Sequence, residues 1–210
     1  MKKICLFFIL LIMPLCVYAE DLNLAPNAKS AILIEASTGE VLYSKNPYEK
    51  LAPASMTKMM SLILIMENIE KGNLKWNDIV VVSKNAASMG GSQIYLEQNE
   101  MMSVEDLIKG ICVASGNDAT VALAEKIAGN EESFVKLMND KASSLGLKNT
   151  HFNNATGLDT DNHYSSAYDM AVMAKELVRH EKILEFSNIY EDYLRKGTNN
   201  SFWLVNTNKA

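Results

Sequence analysis

The spacing of apolar and polar positions along the chain predicts most of its elements. Ala31–Ala36 and Val41–Ser44 are short runs of strand character on either side of Ser37-Thr38-Gly39, the signature of a hairpin. A loop follows from Pro47 to Pro53. From Ser55 to Glu67 almost every position is apolar, with Met56, Met59, Met60 and Leu62 to Met66 leaving no polar face, so this helix is expected to be buried on all sides. Ile79–Val82 reads as a short strand. Val104–Val113 is a helix introduced by Ser103 with Asp106 three residues on, close to a capping box. Asp118–Ala128 is a helix stopped by Gly129. Glu131–Leu145, with apolar residues at helical spacing and Ser133 as its expected cap, is stopped by Gly146. Ser166–Arg179 is a further amphipathic helix, and Tyr190–Leu194 and Phe202–Val205 are strands around a Gly197-Thr198-Asn199 turn. Strands, a buried helix, a helical block and strands again predict an α/β architecture. In it an antiparallel sheet packs on helices, a helical lobe (about residues 68–185) is inserted into the sheet, and a cleft lies along the seam.

Composition narrows the function classes. The chain has 210 residues, 48% of them hydrophobic and 21% charged, which excludes a disordered, collagen-like or disulfide-dense protein. With 20 Lys+Arg against 25 Asp+Glu and no basic block, a nucleic-acid partner is not expected. One apolar run alone is long, and it stands at the start. Lys2-Lys3, the stretch Ile4–Leu15 and Val17-Tyr18-Ala19 have the three regions of a secretory signal peptide. Residues 1–19 are therefore expected to be an export address, with 20–210 the mature chain. That chain, without Lys2 and Lys3, moves from −5 to −7. It is expected in the cell envelope, periplasmic or extracellular, without a membrane span. Cys5 and Cys16 leave with the signal, and Cys112, set among apolar neighbours, is expected to be a buried and inert thiol.

The candidate chemistry is that of a nucleophilic serine. His151, His163 and His180 have no zinc-ligand spacing and are expected on surfaces or loops rather than as bases; no metal or cofactor is expected. No GxSxG elbow is present. A serine can instead use lysine as its base, and Ser55-Met56-Thr57-Lys58 puts the two on one helical face. With 17 serines and 18 lysines, chance supplies about 1.5 SxxK spacings, and the chain has two. Lys136 of the second (Ser133–Lys136) can be solvated. Lys58 opens a helix that is otherwise apolar, where it is paired, snorkels outward, or has a lowered pKa that suits a base. Ser115-Gly116-Asn117, at the joint between two helices, either caps that joint or projects a hydroxyl and an amide into the cleft. A second SxN, Ser83-Lys84-Asn85, has no such joint.

Together these segments resemble the serine D-alanyl-D-alanine carboxypeptidases, the low-molecular-mass penicillin-binding proteins of peptidase S11 type, over about residues 30–209. Leu51–Lys58 resembles the nucleophile segment and Ala114–Ala119 the second motif. Gly90-Gly91-Ser92, Val104–Ile108, Phe134–Asn139 and Leu145–Leu147 resemble flanking segments, and His151–Asp159 with His163–Ala171 the loop that walls the cleft. The resemblance implies a β-lactamase/transpeptidase-like fold and removal of the terminal D-alanine from peptidoglycan stem peptides. In that chemistry Ser55 is the nucleophile, Lys58 the base and Ser115 the proton relay to the leaving group. Asn117 binds the substrate amide and helps to hold Lys58, and β-lactams are inhibitors.

Ala155 and Ser166 depart from the family's usual Pro and Thr. More consequentially, the family completes its site and sheet with a Lys-Thr-Gly strand that follows the Asn206–Lys209 region, and no KTG occurs here. The resemblance therefore implies that residues 20–210 alone have an incomplete sheet, poor stability and at best feeble turnover. Two other readings remain: a catalytically impaired relative that binds penicillin or peptidoglycan, and a class A β-lactamase, which the lack of an ExxxN spacing disfavours.

Overall fold

The computed structural model describes residues 23–208, so the expected signal peptide lies outside the described residues. The β1 (Ala31–Ile34) and β2 (Val41–Lys45) strands form an antiparallel hairpin with a register shift between Leu33 and Ile34. Its turn is held by the Glu35 carboxylate, which accepts the Ser37 and Thr38 N–H groups and both hydroxyls. These donors favour the ionised form and pull the Glu35 pKa down to about 2. Strand character ends at Ile34, two residues before the expected limit, because this turn begins at Glu35.

After the loop, a 3₁₀ turn over Ala54–Thr57 runs into helix α1 (Lys58–Glu70). Met60, Ile63 and Ile65 are fully buried and Leu62, Leu64 and Met66 nearly so, as an all-apolar helix requires. Strands β3 (Ile79–Val81) and β4 (Met101–Ser103) pair antiparallel, with Val80 and Met102 inward and Ile79, Val81 and Met101 outward. Between them lies a one-turn helix, α2 (Lys84–Ala87), whose N-cap is Ser83. The second SxN is therefore a helix cap.

Helices α3 (Val104–Ala114) and α4 (Asn117–Ala128) meet at Ser115-Gly116. Ser103 caps α3 by accepting the Asp106 N–H, as the spacing predicts. Helix α5 (Glu131–Ser144) is capped by Asn130 and not by Ser133, which instead donates its N–H to the Asn130 side chain. Ser166 caps α6 (Ala167–Leu177), α7 (Glu181–Ser187) follows, and β5 (Glu191–Leu194) pairs antiparallel with β6 (Phe202–Val205).

Three two-stranded sheets are thus present among the described residues, where the pattern predicted two parts of one sheet. The β1–β2 hairpin packs on α6 and the β5–β6 hairpin on α3, while α1 is enclosed by α4, α5 and α6. An apolar trough of about 570 Å³ runs between β1, α6 and the start of α1, lined by Ile32, Ile34, Met56, Met59 and Met170.

A buried carboxylate organises the cleft side of the lobe. Asp118 accepts the N–H groups of Ile94 (3.1 Å to both oxygens), Leu96 (3.0 Å) and Ala119 (2.9 Å). The carbonyls of the same strip, Ile94 and Tyr95, are taken by Arg195 at the end of β5, which also grips Glu100 at 2.6 Å. The strip is held from both sides because an irregular segment must find partners outside itself for its backbone groups. Asp118→Asn turns an amide donor toward N–H groups. We expect a loss of about 2–3 kcal/mol in stability, read as a lower urea midpoint at unchanged slope.

Candidate active site

Ser55 stands at the surface and Lys58 is only 4% exposed, so the two ends of the SxxK turn lie in different environments. Pro53 and Ala54 set this up. Ala54 has φ +47°, and the chain turns sharply there into the 3₁₀ segment that carries Ser55. One turn on, the Lys58 Nζ donates to Ser55 Oγ at 3.1 Å and to the Thr156 carbonyl at 2.9 Å. No carboxylate pairs with Lys58 among the described residues. Burial therefore acts unopposed and lowers its pKa from 10.5 to about 8. Such an amine is neutral in a useful fraction near neutral pH and sits within hydrogen-bond reach of the hydroxyl it would deprotonate. The Ser55 N–H, in the first turn of the helical segment, is one of the amides a helix leaves without an internal partner.

The partner of Lys58 comes from the loop between α5 and α6. Asn154 Oδ1 accepts the Thr156 and Gly157 N–H groups and folds residues 154–158 into a tight turn. That turn fits against the start of α1. A Cβ on Gly157 (φ +86°) would lie 1.8 Å from the Ala54 carbonyl oxygen and 2.8 Å from Thr57 Oγ1, so only glycine allows the approach. Ser61, fully buried on α1, donates to the Ala155 carbonyl at 2.7 Å. The preceding segment is tied in as well, since Leu51 and Ser165 exchange backbone hydrogen bonds at 2.8 and 2.9 Å.

Ser115 ends α3 in the left-handed region (φ +56°), half-buried, and Asn117 opens α4 at 4% exposure. The Asn117 backbone N–H donates to the Ser92 carbonyl and its Nδ2 to the Gly90 carbonyl, both at 2.7 Å. Its Oδ1 is buried without a partner among the described residues. Gly91 (φ +77°) lets two parts of the site meet: a Cβ there would lie 2.8 Å from Asn117 Nδ2 and 3.5 Å from Leu158.

The structure thus joins Ser55 and Lys58 directly. It brings Asn117 to the wall loop and makes no hydrogen bond between Lys58 and either Ser115 or Asn117. The hold on Lys58 expected from Asn117 comes from Thr156 instead. A backbone carbonyl leaves no mark in a sequence, so this acceptor is not legible there. Of the histidines, expected on surfaces or loops, His163 lies in the wall loop but is buried and bonded to Thr57, and His180 lies in the loop before α7 and is buried beside Glu70. Neither has Ser55 as a hydrogen-bond partner. Cys112 is unreactive in character, its pKa pushed up to about 12 by burial. No group of metal-ligating side chains occurs among the described residues, and none of their helices is long and apolar enough to cross a membrane.

The chain as a whole is similar to known proteins. The family profile for D-alanyl-D-alanine carboxypeptidase, peptidase S11, matches residues 18–210. The carboxypeptidase DacF of Bacillus subtilis is 62% identical over 187 residues, 89% of this chain and 48% of DacF. DacC of Escherichia coli is 40% identical over 179 residues, 81% of this chain and 45% of DacC. Among solved structures, the carboxypeptidase DacD from Francisella tularensis aligns with a TM-score of 0.79 at 36% identity, covering 82% of this chain and 42% of that one. Penicillin-binding protein D2 from Listeria monocytogenes, in its ampicillin-bound form, aligns with a TM-score of 0.77 at 28% identity, covering 89% and 75%. The transpeptidase-like fold expected from the resemblance is the one these structures have. The chain spans about half the length of the curated relatives it matches. With a profile that runs over nearly all of its residues and a relative at 62% identity, the chain belongs to the peptidase S11 family of D-alanyl-D-alanine carboxypeptidases.

Proposed function

We propose that this protein is a serine D-alanyl-D-alanine carboxypeptidase of cell-wall biogenesis, and that Ser55, Lys58, Ser115 and Asn117 carry its acylation step. The observation that supports this most is the buried Lys58 amine 3.1 Å from the Ser55 hydroxyl, with a pKa lowered to about 8 and no carboxylate partner among the described residues. The substrate is a peptidoglycan stem peptide ending in D-Ala-D-Ala. Ser55 Oγ attacks the carbonyl between the two D-alanines while its proton passes to Lys58. The tetrahedral oxyanion is met by the Ser55 N–H. As the intermediate collapses, the C–N bond breaks and the proton is delivered through Ser115 to the departing D-alanine amine. Water then hydrolyses the acyl-enzyme with Lys58 again as base. The unpartnered Asn117 Oδ1 is suited to accept a substrate amide N–H.

A β-lactam imitates the scissile amide and acylates the same serine, as the ampicillin-bound form of the Listeria relative suggests. The segment from Lys2 to Ala19 directs export, so the protein acts in the cell envelope. The coupling of a single turn of helix to both nucleophile and base favours this reading over a non-catalytic binding relative.

Two outcomes test it. Intact-mass analysis after incubation with penicillin is expected to show one adduct that persists for minutes, absent in Ser55→Ala and formed about 10²–10⁴-fold more slowly in Lys58→Ala. No adduct would leave the binding relative, and rapid turnover of penicillin the β-lactamase. Because Lys58 acts only when neutral and titrates near 8, the acylation rate is expected to rise about tenfold per pH unit from pH 6 to 8 and to level above it. A rate independent of pH over that range would remove Lys58 as the base.

A further inference from the structure

His163 has no part in the chemistry above, yet it is 6% exposed and makes two hydrogen bonds, one within the wall loop and one to the nucleophile segment. Its Nδ1 accepts the Asn153 N–H at 3.1 Å, and its Nε2 lies 2.8 Å from Thr57 Oγ1. A backbone N–H can only donate, so Nδ1 carries the lone pair and the neutral ring holds its proton at Nε2, where it donates to Thr57. Thr57 is fully buried between the candidate nucleophile and the candidate base. The ring is further fixed edge-on against Phe152, with centroids 5.8 Å apart. His163 therefore closes the far end of the segment whose near end supplies the Thr156 carbonyl to Lys58.

We propose that His163, as the Nε2-protonated neutral imidazole, is a positioning residue that locks residues 153–163 to Thr57 and so holds the Ser55–Lys58 pair in its reactive geometry. The proposal rests on the acylation reading above. It has a consequence for pH. Protonation would put an N–H at Nδ1 directly against the Asn153 N–H and break that bond. Burial holds the His163 pKa below its ordinary value, His151 on the same loop lowers it further, and Asp159 opposes them. On the α1 side the neighbouring charged group is Lys58, one residue from Thr57. Acid thus acts twice, first on Lys58 and then, at lower pH, on His163.

The test is the second-order rate of penicillin acylation of the protein from pH 5 to 8.5. In the wild type the plot of log rate against pH is expected to steepen from a slope near one to a slope near two on the acid side. His163→Gln keeps a donor and an acceptor but does not titrate, so it should acylate within a few-fold of wild type at pH 8 and hold a slope of one throughout. His163→Ala removes both hydrogen bonds and is expected to be about 10–100-fold slower at pH 8, the size of effect a small misplacement of reacting groups produces. Thr57→Val, which leaves the ring in place, serves if the alanine variant melts early, and a comparable slowing is expected. An unchanged rate in His163→Ala or Thr57→Val, or a steepening that persists in His163→Gln, overturns the proposal. A wild type that forms no adduct removes the acylation reading itself, and the two failures are therefore distinct.

Discussion

An ammonium group inside an apolar helix is the constraint on which this structure turns. Lys58 would titrate near 10.5 in water and does so near 8 here. The difference corresponds to roughly 3 kcal/mol against folding. Because the folded pKa is the lower one, that cost is present in full below about pH 8 and is lifted as pH rises toward 10.5. A carboxylate nearby would remove the cost and with it the reactivity, since ion pairing raises a lysine pKa. The acids of α1 are placed accordingly. Glu67 and Glu70 lie at the opposite end of the helix, nine and twelve residues on, which is roughly 14–18 Å along its axis. There Glu67 is paired with Lys141 and Lys71, and Glu70 with His180. What Lys58 receives instead is a neutral acceptor, the Thr156 carbonyl. It satisfies one N–H at little electrostatic gain, so the amine stays poised.

A neutral acceptor is useful only if it stays in place, and the wall loop is fastened accordingly. Gly157 against Ala54, Ser61 on Ala155, His163 on Thr57 and Leu51 paired with Ser165 all join residues 151–165 to residues 51–61. Across the cleft, Asp118 and Arg195 grip the 94–96 strip from opposite sides, and Asn117 takes the Ser92 and Gly90 carbonyl positions beside it. Such fastening also supports local strain. Ala54 and Ser115, adjacent to or within the two candidate motifs, both have positive φ without being glycine. Backbone of this kind costs of order 1–3 kcal/mol and persists where the surroundings over-determine it.

Much of this was legible along the chain, and for identifiable reasons. Helices α3 and α6 carry their own start signals in Ser103 and Ser166, and α4 its stop in Gly129. The burial of α1 follows from an apolar run with no polar face. SxxK became informative only because its lysine falls in that run, which separates it from Ser133–Lys136. What stayed hidden was either too short or too distant. Strand β4 is three residues long and begins with two methionines, and α2 is a single turn, so neither has enough length for a period to register. Thr156 meets Lys58 through a backbone atom, and His163 meets Thr57 across 106 positions. Pattern reading treats a histidine by its neighbours in sequence, and those of His163 are polar loop residues. That is why its loop position is legible in the sequence and its burial is not.

The division of labour within the site follows from the same distances. Proton transfer between Ser55 and Lys58 needs one helical turn and a fixed carbonyl, and all of these lie between residues 55 and 156. Stabilising the oxyanion and recognising a terminal carboxylate need donors on a strand across the cleft. In the family that this chain resembles, a KTG strand supplies them, and none occurs in these 210 residues. The two contributions are of similar size: a positioned base is worth about 10²–10⁴ in rate and one oxyanion donor about 10²–10³. On the proposed reading, the residues present here carry the proton transfer from Ser55 and set the pH at which the acyl bond forms.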